Sequence, residues 1–580
     1  MKEVLKYLRP YWFRITIGMT IKIIGTLMDL VIPWILAYII NEVTNPKEMI
    51  YLGLLMIVCA FVGLFGNIIA NAMASKVGKL FTTALRHDVF TKINDLSLSQ
   101  VDNLTIPSLI SRMTNDTYYV HQMITMIQRI GTRAPILLIG GIVITLTLDF
   151  KLTLILLATL PLIILIIFIV TKRGIPIYSE VQTSSDEMVR TIRENITGIR
   201  VIKALSKEEY EQKRFNNVTE KLFEREKRAG INMALTNPLI NAILNIGLVV
   251  VIIFGAYRVY NGEIKVGIII AFTSYFTIIL NAMVTLGRIF ITHSKAVASA
   301  RRIKAILNLE KELIREENIE TNEEENNPYF IEYNNVTFSY LKNGHEFLNN
   351  VNFKLKKGQR LGIIGPTGSG KSTIIRLLLR FYDVDNGEIL INGQNIKTLD
   401  IEEYRNRIGV VLQNDAIMSD TVIENIAFGK EIDLEKIKEC ARLACADEFI
   451  EKLNGGYSSV ISSRGTNLSG GQKQRILIAR ALYANPDIFI LDDSSSALDY
   501  KTDAMVRKNI NNVFPNAVTF LISSRVTSLM NCDQILVIDE GMVVGLGTHQ
   551  DLIHNCDVYR NIYNLQVDET SHKGGVVSES

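Results

Sequence analysis

A glycine-rich loop in the second half of the chain carries residues suited to binding phosphate. The sequence GPTGSGKST, residues 365–373, follows the strand-like QRLGIIG and precedes the helical IIRLLLRFY. Glycines let backbone N–H groups curl around phosphate oxygens at a helix N-terminus, while Lys371 can reach the β- and γ-phosphates and the Ser372 hydroxyl can ligate Mg²⁺. The pattern predicts an ATP or GTP site formed by Gly365, Pro366, Thr367, Gly368, Ser369, Gly370, Lys371, Ser372 and Thr373.

An apolar run about 120 residues further on ends in two adjacent carboxylates. The stretch IFILDDSSSALD, residues 488–499, is typical of a strand that delivers Asp492 and Asp493 to its tip. Asp492 is predicted to hold Mg²⁺ directly or through water, and the alternative is a solvated turn. Asp493 stands where a catalytic base for water would stand. The loop and the acidic strand together are far more specific for a nucleotide site than either part alone.

The elements that position these residues belong to one of two unlike halves. At 580 residues the chain is too long for one hydrophobic core. Its composition is 48% hydrophobic, with a mean hydropathy of +0.21, and the excess lies before residue 290. This indicates an α-helical membrane half followed by an α/β P-loop half. A net charge of +3 provides no global field for nucleic acid, so no nucleic-acid partner is expected.

Six apolar segments are long enough to cross about 30 Å of hydrocarbon. They lie near 14–40, 50–75, 131–149, 152–171, 236–258 and 264–287. Basic residues precede the first segment, and long loops rich in Lys and Arg follow the second and fourth. The positive-inside rule therefore places the N-terminus, the long loops and the second half in the cytoplasm. The expected location is a bacterial inner membrane, and the first segment is too long to be a cleavable signal peptide.

Composition also predicts the domain boundaries and the state of the thiols. We expect a transmembrane domain of six helices with cytoplasmic helical extensions over residues 1–306 and an acidic linker over 307–327. A nucleotide-binding domain should follow over 328–565, with a disordered tail over 566–580. The five cysteines show no metal-like spacing, which favours reduced structural thiols.

The sequence NLSGGQKQR, residues 467–475, resembles the signature of ATP-binding cassette (ABC) transporters. The resemblance implies that Ser469, Gly470, Gly471 and Gln472 offer donors to a γ-phosphate at a helix start. It further implies that Tyr340, in NVTFSY, stacks on adenine, although an ordinary strand aromatic is the alternative. Gln413, in VVLQND, matches the glutamine that senses Mg²⁺ and the attacking water. Asp499, in SALD, matches the loop that crosses the dimer interface.

Six spans followed by one cassette resemble an exporter-type half-transporter. The resemblance implies a dimer, because each ATP lies between one subunit's phosphate loop and the other's signature. Residues 194–205, ENITGIRVIKAL, resemble the coupling segment of the second cytoplasmic loop in this family, and residues 109–116, LISRMTND, resemble its counterpart in the first loop. Cofactors implied are ATP and Mg²⁺, and the expected surroundings are membrane lipids.

Three positions depart from the family pattern. Asp493 replaces the usual glutamate, which shortens the base by one methylene, and Ser524 replaces the histidine that contacts the γ-phosphate. Ser463 stands where exporters usually carry a glutamate. The first two losses favour a hydrolysis-impaired site that nevertheless binds ATP. The hypothesis is a heterodimer, in which this chain's LSGGQ completes the active site of a non-identical partner with an intact glutamate.

The transported substrate is not specified by the sequence. Lys22 and Asp29 share one face of the first span, although Lys22 could extend toward the interface instead. Polar residues in the fifth and sixth spans suit helix–helix hydrogen bonding as well as a ligand. A small amphipathic substrate, such as a drug, lipid or peptide, is expected. The alternatives are a homodimeric drug or lipid exporter, an ATP-gated channel or regulatory subunit, and an importer of metal chelates with the exporter fold.

Overall fold

The computed structural model describes residues 2–316, 328–340, 347–413, 415–462, 465–494 and 497–573. The chain forms two compact units. The N-terminal unit comprises Met1–Asn94 and Ile106–Leu309, and the C-terminal unit comprises Asp95–Thr105 and Glu310–Ser580. A short segment of the first half therefore belongs to the second unit.

Long helices make up the N-terminal unit. In chain order, with the one short helix of the other unit included, they are α1 (Lys2–Leu5), α2 (Trp12–Glu42), α3 (Pro46–Asn94), α4 (Leu98–Leu104, C-terminal unit), α5 (Ile106–Ser111), α6 (Thr117–Met126), α7 (Arg133–Leu148), α8 (Phe150–Thr197), α9 (Ile199–Ala204), α10 (Glu208–Ala234), α11 (Thr236–Tyr260) and α12 (Val266–Leu307). Turns of π-helix, Arg112–Asp116 and Ile127–Gly131, flank α6.

Six of these helical stretches are long and apolar enough to cross a membrane, which confirms the predicted count. They are Glu3–Glu42, Pro46–Asn94, Ile106–Leu148, Phe150–Gly174, Pro238–Tyr260 and Val266–Leu307. Helices suit this environment because they satisfy every backbone hydrogen bond within the segment. Several continue well beyond the apolar part, as the long polar loops predict.

Polar residues of the sixth span are engaged within the helical bundle. Thr273 and Thr277 donate to backbone carbonyls one turn earlier in α12. Tyr275 is fully buried and donates to Leu30 O at 2.5 Å. Helix packing therefore accounts for these three side chains.

The C-terminal unit contains two sheets. Its strands are β1 (Ile331–Phe338), β2 (Leu348–Leu355), β3 (Arg360–Ile364), β4 (Asn386–Ile391), β5 (Gln394–Asn395), β6 (Ile408–Val411), β7 (Ile488–Asp492), β8 (Val518–Ile522), β9 (Gln534–Asp539) and β10 (Met542–Gly547). The larger sheet has the order β10-β9-β3-β8-β7-β6, and the smaller, antiparallel sheet has the order β2-β1-β4-β5.

The larger sheet is parallel except for β10. Strand β3 pairs with β8 and β9, and β7 pairs with β6 and β8. Every residue of β7 and β8 is buried, as expected for strands covered on both faces. The carboxyl ends of β3, β6, β7 and β8 meet at one edge, where ligands bind in such sheets.

Short helices surround these sheets. They are α13 (Lys371–Leu378), α14 (Ile401–Asn406), α15 (Val422–Ala427), α16 (Leu434–Leu443), α17 (Asp447–Glu451), α18 (Gly470–Tyr483), α19 (Tyr500–Val513), α20 (Val526–Leu529), α21 (His549–Asn555) and α22 (Asp557–Lys573). All five cysteines of the chain are free. Burial raises the pKa of the Cys440 and Cys532 thiols to about 11, which keeps them protonated and unreactive near neutral pH.

The ends of the cassette differ in detail from the predicted boundaries. Helix α12 ends at Leu307, and the linker predicted over 307–327 is described only as far as residue 316. Within that part, Glu316 N donates to Lys397 O, so the chain has already joined the C-terminal unit. At the other end, α22 runs to Lys573 and covers half of the tail predicted as disordered over 566–580. Residues 574–580 lie outside the described residues.

Candidate functional site

The glycine-rich loop joins β3 to α13, as its pattern predicts. Gly368 and Gly370 adopt φ values of 85° and 106°, in the left-handed region that glycine enters without steric cost. A Cβ on Gly365 would lie 2.0 Å from Ile538 O, so a side chain there has no room. The three glycines are therefore required by the path of the loop, and that path leads into the N-terminus of α13.

Lys371 and Ser369 line this loop from inside. Lys371 Nζ donates to Gly365 O at 3.0 Å and to Pro366 O at 2.7 Å, while Thr367 is exposed at the tip. Burial lowers the pKa of Lys371, and the charges of two nearby carboxylates oppose that shift. The Ser369 hydroxyl is buried and has no hydrogen-bond partner among the described residues. A buried donor beside a cation fits a phosphate oxygen.

Asp492 and Ser372 form the pair expected to hold Mg²⁺. Asp492 ends β7, is 5% exposed and accepts a hydrogen bond from the Ser372 side chain. Burial raises the pKa of Asp492, with a further contribution from Asp493. The described residues contain no group of three His, Cys, Asp or Glu side chains that could hold a metal alone. A hydroxyl and a carboxylate suit Mg²⁺ when phosphate oxygens and water supply the other ligands.

Asp493 has a constrained backbone. Its φ is 49°, in the left-handed region, and its N–H donates to Ile522 O on β8 at 3.0 Å. The side chain is half-buried, and burial raises the pKa of its carboxyl while Arg525 and Lys371 oppose the shift. The carboxylate therefore lies within the electrostatic reach of both cations.

The loop after β8 carries Ser524 and is held by the last helix. Ser524 is exposed, and its carbonyl accepts a hydrogen bond from Gln566 Nε2 at 2.7 Å. Gln566 Oε1 in turn accepts one from Val526 N at 2.9 Å. Sequence reasoning missed Gln566, which falls in the predicted tail, and it also missed Arg525. Gln566 belongs to no recognisable motif, so only the folded structure reveals its contacts, whereas Arg525 directly follows Ser524 in the stretch that resembles the family.

Tyr340 lies beside the phosphate loop within an aromatic cluster. Its hydroxyl is 3.0 Å from the Thr373 hydroxyl and accepts a hydrogen bond from Arg376 at 3.0 Å. The rings of Phe347 and Tyr382 each meet the Tyr340 ring edge-on, with centroids 5.2 Å apart. Its predicted stacking on adenine stays a prediction.

The signature residues stand at the N-terminus of α18. Ser469 caps the helix, accepting from Gln472 N at 3.2 Å, and Gln472 Oε1 accepts from Ser469 N at 2.8 Å. Ser469 and Gly470 are exposed. A Cβ on Gly471 would lie 2.9 Å from Ala497 O, so the loop after β7 packs closely against this helix.

The other predicted residues stand nearby in the sheet and its loops. Gln413 is exposed just after β6, the neighbour of β7. Asp499 caps α19, accepting from Thr502 N at 2.9 Å, and this hydrogen bond lowers the pKa of its carboxyl. Ser463 lies outside the described residues. The structure thus brings the phosphate loop, Asp492 and Asp493 together, while the signature stands at the surface.

The two segments predicted to lie in the cytoplasmic loops are residues 194–205 and 109–116. Residues 194–205 span the end of α8 and helix α9, and they expose Ile196, Ile199, Val201 and Leu205. The segment predicted over 109–116 belongs to the N-terminal unit. It is instead residues 95–105, with helix α4, that pack with the cassette. Ser97 begins α4 with a capping box, a signal the sequence carried but the prediction did not use.

Comparison with known proteins identifies the family. The ABC transporter transmembrane region matches residues 15–283, and the ABC transporter domain matches residues 348–496. The chain is 34% identical over 570 residues, 98% of each sequence, to the "Uncharacterized ABC transporter ATP-binding protein YfiB" of Bacillus subtilis. It is 31% identical over 581 residues, 98% of this chain and 99% of the relative, to the "Putative multidrug export ATP-binding/permease protein YgaD" of the same organism.

A solved structure shares the fold. The "Structure of a bacterial Atm1-family ABC exporter with ATP bound" matches with a TM-score of 0.81 at 24% identity, covering 96% of this chain and 99% of that one. The chain therefore belongs to the ABC transporters, as an exporter-type half-transporter. It is an integral membrane protein that binds ATP, and its ATPase activity is coupled to transport.

Proposed function

We propose that this chain is one subunit of a heterodimeric exporter of small amphipathic molecules, with an ATP site of its own that binds nucleotide but hydrolyses it slowly. The observation that carries this proposal is the pair Asp493 and Ser524. Both positions depart from the family pattern, and both lie at the ends of neighbouring strands, β7 and β8. The YgaD relative, with multidrug export in its name, supports the substrate class.

The backbone of Asp493 limits compensation for its short side chain. A shift of the main chain toward the nucleotide could recover the missing methylene. The hydrogen bond from Asp493 N to Ile522 O opposes such a shift by tying the backbone to β8. A carboxylate withdrawn by about 1 to 1.5 Å loses about two orders of magnitude in rate, since positioning of water is distance-sensitive.

Ser524 contributes no replacement for an imidazole. Its hydroxyl is short and uncharged, and Gln566 holds the carbonyl of the same residue. Stabilisation of charge on a transferring phosphoryl group is therefore weaker than with histidine. ATP binding is preserved in this proposal, with the phosphates held by Lys371, Ser369 and the loop amides. Mg²⁺ would be held by Ser372 and Asp492, with Gln413 nearby, and would neutralise phosphate charge.

The partner in this proposal is a second, non-identical half-transporter whose Walker B aspartate is followed by glutamate. The exposed Ser469 and Gly470 are suited to complete that partner's site. The apolar side chains exposed around α9 provide a surface for contact with another cytoplasmic domain. The proposed location is a bacterial inner membrane, with the N-terminus and the cassette in the cytoplasm.

An asymmetry test separates the two roles of the chain. In the purified complex, Lys371→Ala should weaken ATP binding to this subunit while most ATP hydrolysis persists. Ser469→Ala should lower hydrolysis strongly, because the signature serves the partner's site. The matched control makes the two equivalent substitutions in the partner, where the order of the effects should reverse.

A gain-of-function test addresses the chemistry directly. Asp493→Glu combined with Ser524→His should raise hydrolysis at this site, measured with the partner's own phosphate loop inactivated. Vigorous ATPase activity of the unsubstituted chain purified alone would instead establish a homodimer. Transport against a gradient by the reconstituted complex distinguishes a pump from an ATP-gated channel.

A further inference from the structure

Five charged and amide residues meet inside the N-terminal unit, on α2, α3, the π-turn Ile127–Gly131 and the start of α7. We call them the intramembrane cluster; its members are Lys22, Asp29, Asn71, Arg129 and Arg133. Lys22 Nζ donates to Asn71 Oδ1 at 3.0 Å, and Arg133 forms an ion pair with Asp29 at 2.9 Å. Arg129 donates to Asn71 O at 3.3 Å. Lys22 is only 3% exposed, so it does not extend to the membrane surface.

The charges of the cluster do not balance. It holds three cations, Lys22, Arg129 and Arg133, against the single carboxylate of Asp29, which leaves a charge of +2. The segments that supply it, residues 15–41, 50–75 and 117–148, contain no other acidic residue. Uncompensated charge is costly in a membrane and usually marks a functional site. An anion with two negative charges would neutralise this cluster.

The two arginines also keep donors available. Arg129 Nε and Arg133 Nε are buried and have no hydrogen-bond partner among the described residues. The Arg133 side chain is nevertheless 43% exposed, so part of its guanidinium can be reached from outside. Arg129 stands on the π-turn Ile127–Gly131, a distortion that is frequent at functional sites. Guanidinium groups match phosphate in shape and charge.

We propose that the intramembrane cluster binds the headgroup of a phosphomonoester amphiphile. A phosphomonoester carries about −1.5 to −2 charges near pH 7, which matches the excess of the cluster. Lys22 lies about 12 Å along α2 from Arg14, at 1.5 Å per residue, whereas Arg129 and Arg133 lie at the start of the third predicted span, 131–149. The site is therefore at the edge of the apolar layer, and chains attached to the headgroup would remain in lipid. The proposed function places the N-terminus in the cytoplasm, and with that orientation the cluster lies in the cytoplasmic leaflet. This placement rests on the proposed function.

Ligand binding to the full-length chain tests this site without ATP or a partner subunit. The chain is placed in phosphatidylcholine nanodiscs, and a fluorescent phosphatidic acid is compared with the matching phosphatidylcholine. Wild type should prefer phosphatidic acid at least about tenfold. Arg129→Gln and Arg133→Gln should each lose about tenfold, the effect of removing one charged hydrogen bond. Lys47→Gln removes an exposed cation at the start of α3 and should change nothing.

Asp29→Asn distinguishes a ligand site from a structural ion pair. Removal of the one carboxylate raises the charge of the cluster, so phosphatidic acid should bind more tightly if the site serves an anion. A purely structural Arg133–Asp29 pair predicts loss of binding together with a lower melting temperature. Arg133→Lys retains the charge and should keep most of the preference, which guards against misfolding of the glutamine variants.

Competition identifies the source of the phosphate. Displacement by dodecyl phosphate but not by inorganic phosphate is expected for an amphiphile. Displacement by millimolar inorganic phosphate alone would overturn the amphiphile assignment. Equal binding of the two lipids, or full binding by Arg129→Gln and Arg133→Gln, would overturn the site itself. None of these results depends on hydrolysis, so the heterodimer proposal stands or falls separately.

Discussion

Several hydrogen bonds connect the early segment 95–105 to the rest of the C-terminal unit, among them Ser97 Oγ to Glu312 and Gln100 Nε2 to Glu310 O. Tyr382 Oη donates to Asp102 Oδ2 at 2.6 Å, and Tyr382 is 8% exposed. On its other side, the Tyr382 ring meets Tyr340, whose hydroxyl is 3.0 Å from Thr373 at the end of the phosphate loop. Contacts within one unit therefore run continuously from the nucleotide loop to the segment between α3 and α5.

Tyr382→Phe removes one hydroxyl and leaves the aromatic packing in place. A hydrogen bond to a charged acceptor contributes about 1.5–3 kcal/mol, and exposure of Asp102 reduces this to about 1 kcal/mol. The docking equilibrium of α4 should shift by about fivefold toward the open state. Hydrogen exchange of the α4 amides in the full-length protein measures this shift, because exchange requires local opening.

Tyr457→Phe is the matched control for this experiment. Tyr457 donates to the carboxylate of Asp447 at 2.5 Å, in a part of the cassette remote in sequence from α4. It should leave exchange in α4 unchanged. A double-mutant cycle with Asp102→Asn should show that the two substitutions are not additive. Unchanged exchange in Tyr382→Phe, or full additivity, would refute the assigned role of this hydrogen bond.

Three further outcomes follow from buried or bridging side chains. Burial raises the pKa of Asp492 above its unfolded value of about 3.9, so without Mg²⁺ and nucleotide the free energy of unfolding declines as pH rises through the raised pKa. Asp492→Asn should therefore be more stable than wild type at pH 7 but not in acid, as thermal unfolding will show. Gln566→Ala should speed amide exchange in residues 523–526, since two hydrogen bonds are lost. Arg258→Ala removes the ion-pair partner of Asp149, whose side chain is 10% exposed and still accepts a hydrogen bond from Leu152 N, and it should cost up to about 3 kcal/mol by denaturant unfolding. Lys265→Ala at an exposed pair should cost about 0–1 kcal/mol.

Local physical rules explain what the sequence predicts well. Apolar runs of sufficient length leave the backbone no alternative to helix in lipid, so the six spans were predicted and confirmed. At Gly365 a side chain has no room, and at Gly368 and Gly370 the positive φ values favour glycine, so the path of the loop explains all three residues. Strand β7 is apolar throughout because both of its faces are covered, and its end must then carry Asp492 to the edge of the sheet.

Contacts between residues distant in the sequence are the part of the structure that the sequence does not predict. Gln566 reaches Ser524 over 42 positions, and Arg133 reaches Asp29 over 104. Neither contact has a local pattern, because each depends on how separate elements pack. The same reason places residues 95–105 with the cassette, although the prediction for the first cytoplasmic loop fell on 109–116. Lys22 shares a face with Asp29, but its partner Asn71 is on another helix.

The carboxylates at the end of β7 suggest why a slow site would be retained. Burial raises the cost of ionising Asp492, and the negative charge of Asp493 adds to that cost. The positive charge of bound Mg²⁺ would offset the unfavourable charges of the two carboxylates. Binding of Mg²⁺ and ATP alone would therefore stabilise the assembled cassette. At a ligand concentration of 100 times Kd, the stabilisation is about 2.7 kcal/mol whether or not hydrolysis follows. In the proposed heterodimer, Asp492 and Lys371 keep the nucleotide and Mg²⁺ bound. Asp493 and Ser524 slow hydrolysis, so the bound ATP stabilises the cassette for longer.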